Sequence, residues 1–266
     1  MAYPPTVAPV TEIYAQRRAR LAQRMQQGIA IIPTAPERTR NRDSHFPYRF
    51  DSYFYYLTGF VEPDAVLVMI AGAEPRSILF CRDKDKEREI WDGFRYGPDA
   101  ARAVFGFDES HKITELDAQM PTLLANQAEV CCHLGSDESW DARVLGWLNQ
   151  VRAQVRNGVA APAAITDVRT LLDEMRLIKD AHELATMRRA AQISTAAHKR
   201  AMRATAPGRT EYAIEAELLH EFRHGGAQSP AYTSIVAGGA NACVLHYVQN
   251  DAVLNAGDLL LIDAGC

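Results

Sequence analysis

The chain has 266 residues, more than one ordinary domain requires, so two domains are expected. Its 47% hydrophobic and 23% charged residues are the balance of a water-soluble globular protein, which excludes disordered and fibrous classes. The formal charge of −4, from 29 Lys and Arg against 33 Asp and Glu, argues against a nucleic-acid or anionic-membrane partner, because both need a basic surface.

The first residues, Met1-Ala-Tyr-Pro-Pro-Thr-Val-Ala-Pro-Val10, lack a basic stretch followed by an apolar core, so they do not read as a signal peptide; their prolines predict an extended arm. Thr11 to Gln27 suits a surface helix stopped by Gly28, and Ile29-Ala-Ile-Ile32 a buried strand ended by Pro33. Pro36 to Ser44 is polar and reads as a loop. Its arginines, Arg38, Arg40 and Arg42, form either a solvated run or an anion site. Ser52-Tyr-Phe-Tyr-Tyr-Leu57 is aromatic and β-prone, and reads as a strand ended by Thr58-Gly59. Ala65 to Ile70 and Ser77 to Phe80 read as strands joined through Gly72 and Pro75. Helices are expected from Pro98 to Phe105 and from Ser139 to Val155, with a strand at Glu129 to Leu134 between them. This alternation predicts an α/β first domain.

Gly, Ala and Pro dominate Asn157 to Ala164, and the domain boundary is placed there, giving domains 1–165 and 166–266. Asp180-Ala-His-Glu183 has the pattern of a capping box and opens a long helix through Met202, broken at Pro207-Gly208. Thr210 is placed to cap a second helix carrying Tyr212, Ile214, Leu218, Leu219 and Phe222, ended by Gly225-Gly226. Strands follow at Thr233 to Ala237 and Leu259 to Ile262. The five cysteines form no C-x-x-C pair, which suits buried, reduced thiols in a reducing compartment. The most apolar stretch, Ala65 to Ala71, is too short to span a bilayer. A soluble, cytoplasmic protein is expected.

Three places carry candidate chemistry. Asp263 follows the apolar run Leu259 to Ile262, so a buried strand is expected to deliver a carboxylate to its own end, either as a ligand for a hard cation or as the opening of a turn. His246 follows the glycine-rich Ala237 to Asn241, as a hydrogen-bond donor to a reacting carbonyl or as a hairpin histidine. His220-Glu-Phe-Arg-His224 matches H-E-x-x-H in letters, but Gly225-Gly226 ends the helix at once and Phe222 sits among its apolar positions. We read that match as coincidence.

Four segments, in this order, resemble the aminopeptidase P (Xaa-Pro aminopeptidase) family. They are Asn41 to Pro63, with Tyr53-Phe-Tyr-Tyr-Leu-Thr-Gly59 inside it, Met175-Arg-Leu-Ile-Lys179, Tyr232 to Tyr247, and Asp258-Leu-Leu-Leu-Ile-Asp-Ala-Gly-Cys266. The resemblance implies an α/β fold: a creatinase-like amino-terminal domain with a mixed sheet, then the first part of an α+β pita-bread metallopeptidase domain. It implies a site of two divalent metal ions, usually Mn2+, held by two Asp, one His and two Glu. Asp263 matches the first Asp, His246 the histidine that assists the substrate carbonyl, and Tyr232 a tyrosine near the metals. Asp43 and Trp91 match residues through which the amino domain of one subunit approaches the site of another, so a homo-oligomer acting on peptides with an Xaa-Pro amino terminus is expected. Nothing in the chain matches the other four ligands, which implies a fragment that does not itself hydrolyse peptides. A prolidase-type dipeptidase, a metal-free creatine amidinohydrolase and a non-catalytic pita-bread binding module are the alternatives.

Overall fold

A computed structural model describes residues 11–266; the expected arm over Met1 to Val10 lies outside the described residues. Contacts divide the chain into two compact units, with the division at Ile178 and Lys179.

In the first unit the chain runs α1 (Thr11–Met25), β1 (Gly28–Pro33), β2 (Thr39–Asn41), β3 (Ser44–His45), α2 (Ser52–Thr58), β4 (Val66–Ala71), β5 (Arg76–Cys81), α3 (Arg88–Asp92) and α4 (Gly97–Phe105). It continues through β6 (Glu109–Lys112), α5 (Leu116–Leu124), β7 (Glu129–Cys132), α6 (Glu138–Arg152), β8 (Ala164–Asp167) and α7 (Arg169–Leu177). Six strands form one mixed sheet in the order β6-β5-β4-β1-β7-β8. Pairing is antiparallel between β1 and β4 and between β4 and β5, and parallel elsewhere.

The continuous apolar runs of β1, β4 and β5 follow from burial on both faces of this sheet. One set of alternate residues, with Ala30, Ile32, Leu67, Met69 and Leu79, packs against Leu21, Phe54, Leu57, Phe105 and Leu172 from α1, α2, α4 and α7. The other set, with Ile29, Ile31, Val66, Val68 and Phe80, packs against Leu116, Met120, Trp147 and Leu148 from α5 and α6. β8 extends the sheet beside β7, and Leu172 and Met175 of α7 join the first core. The division therefore falls beyond residue 165, where the change in composition placed it.

Two local readings are corrected. Ser52 to Leu57 is not a strand but most of α2. Asp51 caps it, accepting from Phe54 N at 2.8 Å, and Gly59 ends it in the left-handed region at φ 66°, its N–H donating to Tyr55 O. The end signals and the helical spacing of buried Phe54, Leu57 and Thr58 outweigh the β propensity of the tyrosines. The polar stretch before it is not all loop: β2 and β3 pair, with Arg42 and Asp43 in the turn, and Arg38, Arg40 and Arg42 are exposed.

Gly59 has a second constraint. A Cβ there would lie 2.4 Å from the ring of buried Tyr14. Gly59→Ala is therefore expected to destabilise the first unit by about 2–4 kcal/mol, from left-handed strain plus overpacking. A urea midpoint equal to that of the parent protein would contradict this.

The second unit comprises α8 (Ala181–Ala204), α9 (Glu211–His224), β9 (Ile235–Gly238) and β10 (Leu260–Asp263). Asp180 and Glu183 form the expected capping box. Small residues Ala197 and Ala201 on α8 let Ile214, Leu218 and Phe222 of α9 approach closely, and these form the core with Val236 and Leu254. Thr210 precedes α9 but makes no side-chain cap bond, and Tyr212 is exposed rather than part of the apolar face. β9 and β10 pair antiparallel, with Asp263 opposite Ile235. Among the described residues β10 is covered on one face only. Leu259 is 83% and Leu261 41% exposed, because among the described residues this core covers only the face that carries Leu260 and Ile262.

Candidate active site

Asp263 ends β10, and the small residues Ala264 and Gly265 follow it. Ala231 N donates to Gly265 O at 2.9 Å, which brings the segment before β9 alongside the end of β10. The next residue is Tyr232, and its hydroxyl donates to Asp263 Oδ1 at 2.6 Å. That hydrogen bond raises the tyrosine pKa, since ionisation would surrender the bond and set two anions together. Asp263 is exposed, so its carboxylate faces outward from a rigid strand end, the form in which a scaffold presents a ligand.

Between Gly238 and Ala252 lies the segment that carries His246. A short 3-10 turn, Gly239–Cys243, opens it. His246 is exposed, whereas its neighbour Tyr247 is buried and anchors the segment. Asn250, at φ 50°, accepts from Val236 N at 2.9 Å and donates to Ser234 O at 2.9 Å and to Glu215 Oε2 at 3.0 Å. Glu211, fully buried at the start of α9, accepts from Gly238 N, Asn241 Nδ2, Tyr247 OH and Ala252 N. Burial pushes its carboxyl pKa up, but these hydrogen bonds outweigh burial and hold it below the usual range. Glu211 and Asn250 escaped the sequence reading. A first-turn carboxylate reads as helix-dipole chemistry, and nothing local marks it as buried.

Asp43 and Trp91 belong to the first unit. Asp43 is exposed in the β2–β3 turn, and Trp91 projects from α3 at 83% exposure. Their near neighbours in sequence, His45 and Asp92, both line one charged cleft of about 720 Å³. The exposed His220 and His224 stack with ring centroids 5.7 Å apart on α9. Among the described residues no third His, Cys, Asp or Glu groups with them to hold a metal ion.

Asp263 suits one oxygen ligand for a hard cation. Among the described residues, however, no group of three or more His, Cys, Asp or Glu is placed to hold a metal ion. The described residues thus bring together no complete two-metal set.

Residues 14–131 match the aminopeptidase P N-terminal domain, and residues 185–266 match metallopeptidase family M24. The Xaa-Pro aminopeptidase of Escherichia coli K12 is 43% identical over 257 residues, covering 95% of this chain and 58% of that protein. The chain belongs to the aminopeptidase P branch of family M24. The Haemophilus influenzae Xaa-Pro aminopeptidase is 40% identical, with 96% of this chain and 57% of that protein covered. Among solved structures, Pseudomonas aeruginosa aminopeptidase PepP superposes with a TM-score of 0.94 at 46% identity, over 100% of this chain and 60% of that one. A variant of E. coli aminopeptidase P in complex with substrate gives a TM-score of 0.94 at 42% identity, over 98% and 60%. A zinc-substituted form of the same E. coli enzyme, in complex with product, gives the same values. The chain therefore spans about three fifths of these relatives, as an aminopeptidase P amino-terminal domain and part of an M24 domain.

The bond between Tyr232 and Asp263 gives a direct expectation for an M24 centre. For a divalent cation held by Asp263, Tyr232→Phe in the whole protein is expected to weaken the affinity about 10-fold or more, as loss of a partner that orients a ligand does. A metal titration indistinguishable from that of the parent protein would rule this out.

Proposed function

We propose that the whole protein of which this chain forms part is a divalent-metal-dependent aminopeptidase that removes the first residue from peptides with proline in second place. The observation that carries the reading is the pairing of Tyr232 with Asp263 at the end of β10, in a chain whose residues 185–266 match a metallopeptidase family. The relatives bear the name Xaa-Pro aminopeptidase, and one solved neighbour holds the inhibitor Pro-Leu. Asp263 supplies one metal ligand in this reading, with Mn2+ as the working metal. His246, on its exposed segment, donates a hydrogen bond to the oxygen of the scissile carbonyl as negative charge develops there. Proline fixes φ and lacks an amide hydrogen, so a dedicated site is needed for that bond.

The same reading assigns a homo-oligomer in which Asp43 and Trp91 of one subunit approach the site of another. Exposed Trp91 supports it, since large exposed aromatics favour interfaces. All five cysteines are free thiols, which supports a cytoplasmic location; burial pushes Cys81 up to about 12 and Cys132 to about 11, so neither is a ready nucleophile. Among the described residues no helix is long and apolar enough to cross a membrane. The segment 1–266 alone is expected to be inactive.

The test uses the whole protein with Mn2+ and three peptides: Ala-Pro-Ala, Ala-Ala-Ala and Ala-Pro. Metal-dependent release of alanine from Ala-Pro-Ala, with Ala-Ala-Ala resistant, is expected. Cleavage of Ala-Pro alone would make it a prolidase, and no cleavage at any metal concentration would favour a binding module.

A further inference from the structure

Four donors converge on Glu211. Gly238 N at 2.7 Å and Asn241 Nδ2 at 3.2 Å reach Oε1, while Tyr247 OH at 2.7 Å and Ala252 N at 3.0 Å reach Oε2. None of these four partners is cationic, and the side chain is 0% exposed. Such a node requires an ionised carboxylate: a carboxamide would turn an NH2 group toward two donors, and only a carboxylate is acceptor on both atoms.

The positions of the donors give the node its meaning. Gly238 and Ala252 are the two ends of the segment that carries His246, and Tyr247 is the residue beside that histidine. Asn241 adds a third tie, since its Nδ2 also donates to Tyr247 OH at 3.0 Å. Backbone pairing reinforces the closure: Glu211 N donates to Ala252 O, and Thr210 bridges Val253. Packing is close at one end, where a Cβ on Gly238 would meet the Leu254 side chain at 2.7 Å. His246 itself is exposed, so its placement rests on these neighbours.

We propose that Glu211 is a positioning residue for the reaction, a buried clasp that closes the Gly238–Ala252 segment and so fixes His246 against the substrate carbonyl. This rests on the catalytic reading of His246 given above. Glu211 touches no reacting atom; its effect passes through Tyr247 and the segment ends.

The experiment compares Glu211→Gln, Tyr247→Phe, His246→Ala and the two doubles with His246→Ala, in the whole, metal-loaded protein on Ala-Pro-Ala. Glu211→Gln is expected to lower kcat about 10- to 100-fold, the effect of misplacing a reacting group by an ångström. KM should stay within about threefold and metal content should be unchanged, because the lost interaction belongs to the transition state. In the His246→Ala background the same substitution should cost less than about twofold, since the group it positions is already gone. Tyr247→Phe removes one donor and should show a smaller loss with the same dependence on His246. It decides the question if Glu211→Gln does not accumulate as folded protein.

Equal losses in both backgrounds would overturn the proposal, because a merely structural role adds to any other defect. So would unchanged kcat in both Glu211→Gln and Tyr247→Phe while His246→Ala is impaired, which would leave the function itself standing. Full activity of His246→Ala would remove the catalytic reading and this proposal together.

Discussion

Asp263→Ala in the whole protein is expected to lower kcat/KM for an Xaa-Pro tripeptide at least about 1,000-fold, since a metal held by the carboxylate would supply several kcal/mol of transition-state stabilisation. Stability should hardly change. Among the described residues the carboxylate is exposed and accepts a hydrogen bond from Tyr232, so the folding cost is expected to stay within about 1 kcal/mol. The diagnostic result is therefore a split: lost activity and lowered metal content, with an unchanged melting temperature. A variant that retained activity would show that Asp263 merely opens a turn. One that lost activity only by unfolding would show that its role is structural.

His246→Ala is the second large effect. A donor aimed at a developing oxyanion is worth about 100- to 1,000-fold in kcat, with KM little altered. The side chain is exposed, so the loss should appear without destabilisation. Metal content should remain that of the parent protein, because the assigned partner of His246 is the substrate. A rise in KM with kcat preserved would move His246 from the reaction to ground-state binding.

Long apolar runs and helix ends carried most of what was legible in the sequence. β1, β4 and β5 were readable because a sheet covered on both faces needs uninterrupted apolar strands. α8 was readable from the Asp180–Glu183 capping box. α2 was misread, because the tyrosines favour a strand while the deciding signals, Asp51 and Gly59, sit just outside the aromatic run. β10 is the strand its composition predicts, and among the described residues one of its faces is uncovered, which an apolar run cannot report.

At the site, motif resemblance singled out Asp263, His246 and Tyr232, and the structure joins Asp263 to Tyr232 directly. No hydrogen bond among the described residues joins His246 to either. Glu211 was invisible for a physical reason. Its four partners come from Gly238, Asn241, Tyr247 and Ala252, all far along the chain, and only the folded unit shows that they converge.

The central claim is that Asp263 begins the metal centre of an M24 peptidase. The most direct measurement is anomalous diffraction from crystals of the whole protein grown with Mn2+. A peak is expected at coordination distance, about 2.2 Å, from the Asp263 carboxylate. A peak at His220 and His224 with none at Asp263, or no peak with the protein still active on Xaa-Pro peptides, would contradict it.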